Sequence, residues 1–429
     1  MIFGRGKGKL VIPGKNQCGN CHAFLEEDDE YCRKCGTKRG EGDFLPYENY
    51  ETCVYGPPPE ERDHICENCG FSWTNCVMLD KERYCPKCGK PVKVVEKGRE
   101  RMKRKIIQND VVALGELLID FTENGTSAQG NPLMEANPGG APCNVLAMLT
   151  KLGHKTTFVG KVGEDVFGYQ LKDVLEEVGI GTNGLKLDAE VHTTLAIVHK
   201  LPNGDRDFSF YRNPGADMML SEEDVDEELI KSAKIFHFGS LSMTSEPVKS
   251  ATMKALGIAK DEGIIISFDP NLREPLWPSL EDAKREIAFG MSMCDILKIS
   301  DNEITWFTGI DDYDEAVVKL FEDYPDIRMI LLSKGPEGSC CYQKERHVTV
   351  KPFLQENTIE TTGAGDTFCA GVLHYVLEHG LKDYDESEMT DMLTFANAAA
   401  SIITTKRGAL RVMPEAEEVE ALVATRQTD

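Results

Sequence analysis

Hydrophobic residues follow two different periods along residues 106–429, and the two alternate. Short apolar runs predict buried strands, and these candidate strands are 110–114, 156–160, 194–199, 207–211, 235–238, 263–268, 295–299 and 328–332. Segments with apolar residues every three or four positions predict amphipathic helices between them, for instance 165–178, 246–261, 312–323 and 389–405. Because strands that alternate with helices form a layered α/β domain, we predict a doubly wound, mostly parallel sheet for residues 108–429.

One segment departs from this alternation. Residues 194–213 contain two alternating strands joined by Pro202-Asn203-Gly204-Asp205, and such turn residues are typical of a β-hairpin. A hairpin fits poorly inside a parallel sheet. We therefore predict a small β lid near residues 194–213 that covers a site.

The first 96 residues carry cysteine pairs in place of this alternation. Four Cys-x-x-Cys pairs occur there, and a two-residue loop lets both thiolates of a pair face one ion. Two pairs supply the four soft ligands of a tetrahedral Zn²⁺ site. We predict two zinc-ribbon modules, residues 1–50 and 51–96, with the ligands Cys18, Cys21, Cys32, Cys35, Cys66, Cys69, Cys85 and Cys88.

Redox dithiols and an iron–sulfur cluster are the alternatives for these cysteines, and the lack of a βαβ pattern around them favours zinc. Cys53 and Cys76 are further thiols, so the pairing of the ligands stays open. The basic segment 97–107 is interpreted as a solvated linker, with a phosphate contact as the alternative. The partner of the modules, protein or nucleic acid, also stays open.

Composition narrows the class of protein. The chain has 429 residues, of which 41% are hydrophobic and 28% charged, as in globular proteins with a large core. Its net charge of −24 argues against general attraction to nucleic acid or anionic lipid. Residues 1–105 carry 20 basic and 17 acidic side chains, whereas residues 106–429 carry 28 and 55, so charge divides the chain into two regions. Without a secretory signal or a membrane-length apolar run, we expect a cytoplasmic protein.

The segment Glu360–Phe368 has the composition of a ligand-binding loop. Two glycines among small residues precede Asp366, and an apolar, helix-forming run follows. Glycines let a backbone approach a ligand closely, and the free N–H groups of a helix N-terminus attract phosphate. Asp366 could then take a proton from an attacking hydroxyl. The alternative is a common glycine-containing turn in which Asp366 caps the helix.

Two upstream segments carry further polar residues at predicted element ends. Asp120 follows the first strand of the α/β region, and we expect it at or near the carboxyl end of a strand, where such sheets bind ligands. Gly139 and Gly140 precede a predicted helix over 144–152. Asn144 offers a donor and an acceptor for hydroxyl groups. Each polar residue alone is more often a cap than a ligand.

Together these segments resemble the ribokinase-like (PfkB) family of carbohydrate kinases. Gly139–Asn144 is similar to the family's first signature, and Thr361–Asp366 is similar to its second. Four stretches look most like fructokinases within the family: 115–121, 210–218, 269–277 and 298–303. The resemblance implies the ribokinase-like fold with ATP and Mg²⁺ as cofactors.

The resemblance also implies a role for each matching residue. Asp366 would be the general base, and Gly363, Ala364 and Gly365 would supply the N–H groups of an anion hole. The sugar would contact Asp120, Gly139, Gly140, Asn144 and Arg212. ATP would contact Lys334, Gly335, Gly338, Asn397 and Gly408, and Glu303 would organise Mg²⁺. Glu360 and Thr362 match the residues of a K⁺ site, although Glu360 stands where the family usually has Asp; Ser300 stands where many members have Asn.

The function implied is ATP-dependent phosphorylation of a sugar primary hydroxyl, with D-fructose as the expected substrate. Ribose, 2-keto-3-deoxygluconate or a nucleoside are alternative substrates. A zinc-ribbon interaction protein whose kinase fold senses a sugar is the alternative from another class. A homodimer formed through the lid is the expected assembly.

Overall fold

The computed structural model describes residues 109–200, 206–344 and 346–426, the paired strands 61–65 and 72–76, and the single residues Glu30, Cys32 and Lys38. Contacts divide the chain into two units, Met1–Arg104 and Lys105–Asp429. Each unit is described by itself.

In the first unit, β1 (Glu61–Ile65) pairs antiparallel with β2 (Ser72–Cys76), and Ile65 lies opposite Ser72. Cys32 is buried. The other seven predicted zinc ligands lie outside the described residues.

A nine-stranded sheet forms the centre of the second unit. Its strands in chain order are β3 (Asn109–Leu114), β6 (Thr156–Gly163), β7 (Gly181–Asp188), β10 (Ala233–Gly239), β11 (Ile265–Asp269), β12 (Ile296–Ser300), β13 (Met329–Ser333), β14 (Ser339–Gln343) and β15 (Arg346–Val350). The order across the sheet is β15-β14-β13-β12-β11-β10-β3-β6-β7, parallel from β13 to β7, with β14 and β15 antiparallel at one edge.

Helices cover both faces of this sheet. They are α1 (Ala141–Lys151), α2 (Val166–Glu177), α3 (Glu227–Lys231), α4 (Val248–Asp261), α5 (Leu280–Met293), α6 (Asp301–Thr308), α7 (Tyr313–Asp323), α8 (Ala364–His379), α9 (Glu386–Ile403) and α10 (Ala416–Arg426). Successive residues of a strand point to opposite faces. Accordingly, Val111 and Ala113 pack in the core that contains α1, α8 and α9, whereas Val112 and Leu114 pack in the core that contains α4 and α5. The predicted doubly wound α/β fold is confirmed.

The lid is a separate four-stranded sheet of order β5-β4-β8-β9. Its strands are β4 (Leu118–Thr126), β5 (Pro132–Gly139), β8 (Leu195–Lys200) and β9 (Arg206–Tyr211). The predicted hairpin is β8 and β9, which pair antiparallel, and β4 lies parallel to β8. The lid therefore has twice the strands that the sequence pattern predicted.

The lid corrects the expected position of Asp120. The chain leaves the main sheet after Leu114 and re-enters extended structure as β4 of the lid, where Asp120 lies opposite Asn137 on one side and Ala196 on the other. Asp120 is therefore a lid residue and not the end of a main-sheet strand. The helix expected over 144–152 is α1, which begins three residues earlier at Ala141 because proline at its first turn favours a start there.

The direction in which the chain adds strands to the sheet reverses between β3 and β10, which makes this a topological switch point. After β3 the chain builds β6 and β7 on one side, and from β10 it builds β11, β12 and β13 on the other. Ligands of open α/β sheets bind at the carboxyl ends of strands beside such a point. Asp269 at the end of β11 and Ser300 at the end of β12 lie on this edge. Among the described residues, none of the helices could span a membrane.

Candidate active site

The N-termini of two helices meet at one point. Asn144 lies in the first turn of α1 and Asp366 in the first turn of α8, and the Nδ2 atom of Asn144 donates a hydrogen bond of 2.8 Å to Oδ2 of Asp366. A helix N-terminus has N–H groups without intrahelical partners and the positive end of the helix dipole. Two such ends beside one carboxylate form a site for an anionic ligand.

Glycine is required at both helix starts. Gly363 has φ 76° and Gly140 has φ 130°, which are backbone conformations that favour glycine. A Cβ atom on Gly140 would lie 2.3 Å from the backbone oxygen of Glu116, and one on Gly363 would lie 3.2 Å from the Cβ atom of Ala409. These positions keep the backbone of both helix starts open to a ligand.

Burial governs the charge of Asp366. The residue is 8% exposed, and burial raises the pKa of its carboxyl group, against the opposing effects of the Asn144 hydrogen bond and of the positive charges of Lys298 and Arg273. A carboxylate with a raised pKa is a better proton acceptor. The Oδ1 atom of Asn144 is buried and has no hydrogen-bond partner among the residues that the structure describes. A ligand hydroxyl is a suitable donor to it, because buried acceptors are rarely left unpaired.

Asp120 is placed against this centre by the lid. Burial, together with the negative charges of Glu360 and Asp366, raises its pKa to about 6 against the opposing positive charge of Arg273. A Cβ atom on Gly139 would lie 2.3 Å from Oδ2 of Asp120, so only glycine at 139 leaves that carboxylate in place. Gly139, Gly140, Asn144 and Asp120 thus belong to one group.

Arg212 is held by the protein itself. It is 8% exposed, and its Nε donates to Asp217 at 2.7 Å, while its two terminal nitrogens donate to Thr244 and to the backbone oxygen of Leu241. Three of its five N–H donors are therefore used within the fold. The positive charge of Arg212 also acts on Glu116, where burial raises the pKa to about 7. The carboxylate of Glu116 accepts a hydrogen bond from the N–H of Ala141 at the start of α1.

A buried ion pair lies beneath the glycine loop. The Nζ atom of Lys298 lies 3.0 Å from Oδ2 of Asp269, and a Cβ atom on Gly365 would lie 3.3 Å from that Nζ. Burial lowers the pKa of Lys298, but the carboxylates of Asp269, Glu303 and Asp366 raise it by more, so the ammonium group is charged. A buried cation at this distance from Gly365 favours negative charge on the loop.

Glu303 is a charged carboxylate at the same edge. Its Oε2 accepts from the backbone N–H and hydroxyl of Ser300, and its Oε1 accepts from the N–H of Leu272 at 2.7 Å. Burial opposes the charge, but Lys298 and these donors hold the pKa of Glu303 below its ordinary value. Ser300 is the N-cap of α6 in a capping box with Glu303. Serine and asparagine cap helices about equally well, which accounts for Ser300 at a position where asparagine is common.

Three of the predicted ATP-contacting residues lie in the turn between β13 and β14, and Asn397 lies on α9. Lys334 and Gly335 follow β13. Gly338 has φ 96°, and a Cβ atom on it would lie 2.2 Å from the backbone oxygen of Val350. The side-chain amide of Asn397 accepts from Ser339 at 2.9 Å and donates to the backbone oxygens of Val350 and Lys351. Asn397 therefore ties α9 to β14 and β15. In the described ranges, no hydrogen bond or ion pair joins these residues to Asp366.

Glu360 and Gly408 lie together beside the lid. The N–H of Gly408 donates a 2.7 Å hydrogen bond to Oε1 of Glu360, and a Cβ atom on Gly408 would lie 3.4 Å from Oδ1 of Asn137 on β5. Glu360 and Thr362 are partly buried. Gly408 thus contacts the predicted K⁺ residue.

Three charged residues of the site have no role in the sequence-based expectations: Lys298, Asp269 and Arg273. All three lie in the stretches 269–277 and 298–303 that carry the family resemblance. A lysine among apolar residues of a predicted strand, as Lys298 is between Leu297 and Ile299, signals a buried charge that needs a partner. That signal points to Lys298 from the sequence alone.

Comparison with known proteins agrees with this geometry. The sequence profile described as pfkB family carbohydrate kinase matches residues 108–416. Probable fructokinase-6, chloroplastic, from Arabidopsis thaliana is 44% identical over 318 residues, which are 73% of this chain and 82% of the relative. Fructokinase-2 from Solanum lycopersicum is 41% identical over 316 residues, which are 73% of this chain and 95% of the relative.

Solved structures show the same fold. The fructokinase from Xylella fastidiosa with bound ATP superposes with a TM-score of 0.68 at 28% identity, covering 75% of this chain and 100% of that one. A fructokinase from Vibrio cholerae O395 with fructose, ADP and calcium bound gives a TM-score of 0.67 at 26% identity, covering 74% and 99%. The fold is ribokinase-like, and the chain belongs to the pfkB family of carbohydrate kinases.

Proposed function

We propose that this protein transfers the γ-phosphoryl group of ATP to the 6-hydroxyl of D-fructose. The observation that carries the proposal is the buried carboxylate of Asp366, bonded to Asn144 where the N-termini of α1 and α8 meet. The fructokinase relatives, 41–44% identical over most of the kinase region, support fructose as the sugar.

In the proposed reaction Asp366 accepts the proton of the sugar hydroxyl. The hydroxyl oxygen forms a bond to the γ-phosphorus as the bond to the β-phosphate bridging oxygen breaks, and ADP leaves. The N–H groups of Gly363, Ala364 and Gly365 stabilise the charge on the transferred group, with Lys298 beneath them.

We assign the sugar hydroxyls to Asp120 and to Oδ1 of Asn144, which has no partner in the described part of the chain, with Gly139 and Gly140 keeping the space open. Arg212 is proposed to support these sugar-contacting residues. Because its nitrogens are held by Asp217, Thr244 and Leu241, it serves mainly to fix the end of lid strand β9 to the segment between β10 and α4.

We assign ATP to the turn that carries Lys334, Gly335 and Gly338, to Asn397 of α9 and to the loop with Gly408. Glu303 fits a Mg²⁺ site, since it is a charged carboxylate on the ligand edge of the sheet. Both its oxygens already accept protein hydrogen bonds, so it suits a magnesium ion that keeps its waters. Bound Mg²⁺ would neutralise phosphate charge.

We propose K⁺ for the site of Glu360 and Thr362. Glu360 gives one oxygen to the N–H of Gly408 and keeps the other for a cation. The longer side chain of glutamate sets the ion further from the chain than aspartate would.

A sugar panel tests the substrate. Full-length protein with ATP and Mg²⁺ is given fructose, ribose, 2-keto-3-deoxygluconate and a nucleoside, alone and in competition, and ADP release is measured. Fructose should give the highest kcat/KM, with phosphate on the 6-oxygen by NMR. A higher kcat/KM for another member of the panel would contradict the proposed substrate and leave the kinase chemistry in place.

The N-terminal cysteines are proposed as two structural Zn²⁺ sites. Pairing of Ile65 with Ser72 supports this, because the segment that connects β1 to β2 then carries both Cys66 and Cys69, as a metal-binding knuckle does. Metal analysis of the purified chain should show that two zinc ions are lost when Cys66 and Cys69 are replaced by serine together with Cys18 and Cys21. Retention of both ions in that variant would contradict the assignment.

A homodimer through the lid and a cytoplasmic location are the remaining proposals. Leu133 of β5 and Tyr211 of β9 are 49% and 63% exposed on the lid, which supports a covered lid surface. Sedimentation of the wild type as a dimer, and of the Leu133→Asp variant as a monomer, would support the dimer. Fluorescent tagging of the full chain tests the location.

The sensing alternative fits the site less well. A protein that only senses sugar has no need of a buried base, yet Asp366, Glu303 and the glycine loop are all present.

A further inference from the structure

A second group of metal-binding side chains lies away from the proposed phosphoryl-transfer site. His154 follows α1 in the turn before β6, and His374 and Glu378 are one helical turn apart on α8. These three residues are called the histidine cluster. His374 is eight residues from Asp366, about 12 Å along the helix.

The ligand atoms of the histidine cluster converge. The Nε2 atom of His154 lies 2.7 Å from Nδ1 of His374, and one ligand atom from each of the three residues lies within 4.8 Å of the others. The side chain of His154 is 8% exposed, whereas Glu378 is exposed. The cluster is therefore enclosed by protein at His154 and open to solvent at the carboxylate of Glu378.

We propose that the histidine cluster binds a divalent transition-metal ion of the Zn²⁺ class. Two imidazoles and one carboxylate are the ligand set of zinc sites that keep a fourth position for water. The Oδ2 atom of Asp110 lies 3.8 Å from Nδ1 of His154, on the far side of the ring from His374. At this distance the carboxylate is not hydrogen-bonded to the ring, but it lies on the side where an outer carboxylate lies behind a metal-bound histidine.

The cluster needs only small adjustments to hold an ion. Two nitrogens bound tetrahedrally at zinc distances lie about 3.3 Å apart, so the 2.7 Å pair must separate slightly by ring rotation. The Glu378 side chain is exposed and free to turn toward the ion. An ion there would join the turn after α1 to α8.

A simple hydrogen bond between two neutral imidazoles is the competing explanation, with one ring as donor and the other as acceptor. That arrangement does not require Glu378. The two explanations therefore differ in what replacement of Glu378 does to zinc binding.

The test is zinc binding by full-length protein at buffered, micromolar free Zn²⁺. Wild type is compared with H374Q and E378Q, with bound zinc counted per chain and the unfolding temperature measured with and without zinc. The cysteines are unchanged in all three proteins, so the difference between them reports this cluster alone. Wild type should bind one more ion than either variant, or bind it at least about tenfold more tightly, and should gain thermal stability that the variants do not.

His379→Gln is the matched control, because His379 is exposed on the same helix and stacks on Tyr375. It should bind zinc as the wild type does. Equal zinc content and equal thermal shifts in wild type, H374Q and E378Q would overturn the proposal and leave a histidine hydrogen bond. Should H374Q fail to fold, the exposed E378Q carries the comparison.

Discussion

Burial separates the roles of the carboxylates at this site. Asp366 and Asp120 have raised pKa values because burial disfavours their charged forms. Glu303 is half-buried, and although its desolvation raises the pKa, Lys298 and two backbone donors keep that pKa low. Carboxyl groups whose pKa values are pushed apart can act as proton acceptor and as permanent anion in the same site. Asp366 suits the first role, and Glu303 the second.

The pKa of Asp120, about 6, gives a pH dependence. Asp120 accepts sugar hydroxyls best as a carboxylate, and a raised pKa means that this form is lost as pH falls through about 6 and not near 4. We expect kcat/KM for fructose to be level at pH 7–8 and to fall about tenfold per pH unit below about 6, because kcat/KM reports groups of the free enzyme. A profile that stays level down to pH 5 would contradict this reading.

Lys298 should matter for both folding and turnover. Lys298→Met leaves the buried carboxylate of Asp269 without its cation, which costs about 3–5 kcal/mol of unfolding free energy. Loss of the charge beneath Gly365 should lower kcat on the order of a hundredfold. Urea denaturation and steady-state kinetics measure the two effects.

Lys260→Met is the control, since the Lys260–Asp326 pair is exposed and such pairs contribute about 0–1 kcal/mol. Equal effects of the two substitutions would show that the buried pair has no special role.

At the scale of elements, close packing of α8 on α9 holds the catalytic helix. A Cβ atom on Gly371 of α8 would lie 2.8 Å from the Cα atom of Ala396 on α9, so Gly371→Ala should destabilise the fold by about 1–3 kcal/mol. A Cβ atom on Gly257 in α4 would meet open space, so Gly257→Ala should stabilise the fold by about 0.5–1 kcal/mol. Urea unfolding of both variants checks the pair, and effects of the same sign would refute the packing argument.

Elements with a clear hydrophobic period could be predicted from the sequence. The lid could be predicted only in part. The hairpin β8–β9 was signalled by its turn residues, but β4 and β5 were not. β5 contains Pro132 and Pro138, which count against a strand, and proline is tolerated there because β5 is an edge strand. Long-range pairing decides such a strand, and local sequence does not reveal it.

The same limit applies to the site. Its glycines and Asp366 follow from local sequence, since positive φ and helix starts are local properties. The Asn144–Asp366 hydrogen bond joins residues 222 positions apart, and the Lys298–Asp269 pair joins two strands. Such contacts are tertiary, and only the family resemblance anticipated that these segments come together.

At the scale of the whole molecule, the family match at residues 108–416 lies entirely within the second unit. Contacts divide the chain at Arg104 and Lys105, and the matched region of this chain spans 95% of the tomato relative. A chain beginning at Lys105 should therefore keep kcat/KM for fructose within about twofold of the full chain, as expected for an independent domain. A loss of more than tenfold in the folded, truncated protein would mean that the N-terminal region contributes to the site.

The central claim is that Asp366 is the base of a sugar kinase, and turnover by Asp366→Asn tests it most directly. Full-length wild type, Asp366→Asn and the control Asp391→Asn, an exposed carboxylate on α9, are assayed for ADP release with saturating fructose and ATP. Asp366→Asn should lower kcat by about 10²–10⁴-fold while the protein stays folded, and Asp391→Asn should not change it. Turnover by folded Asp366→Asn at the wild-type rate would contradict the account.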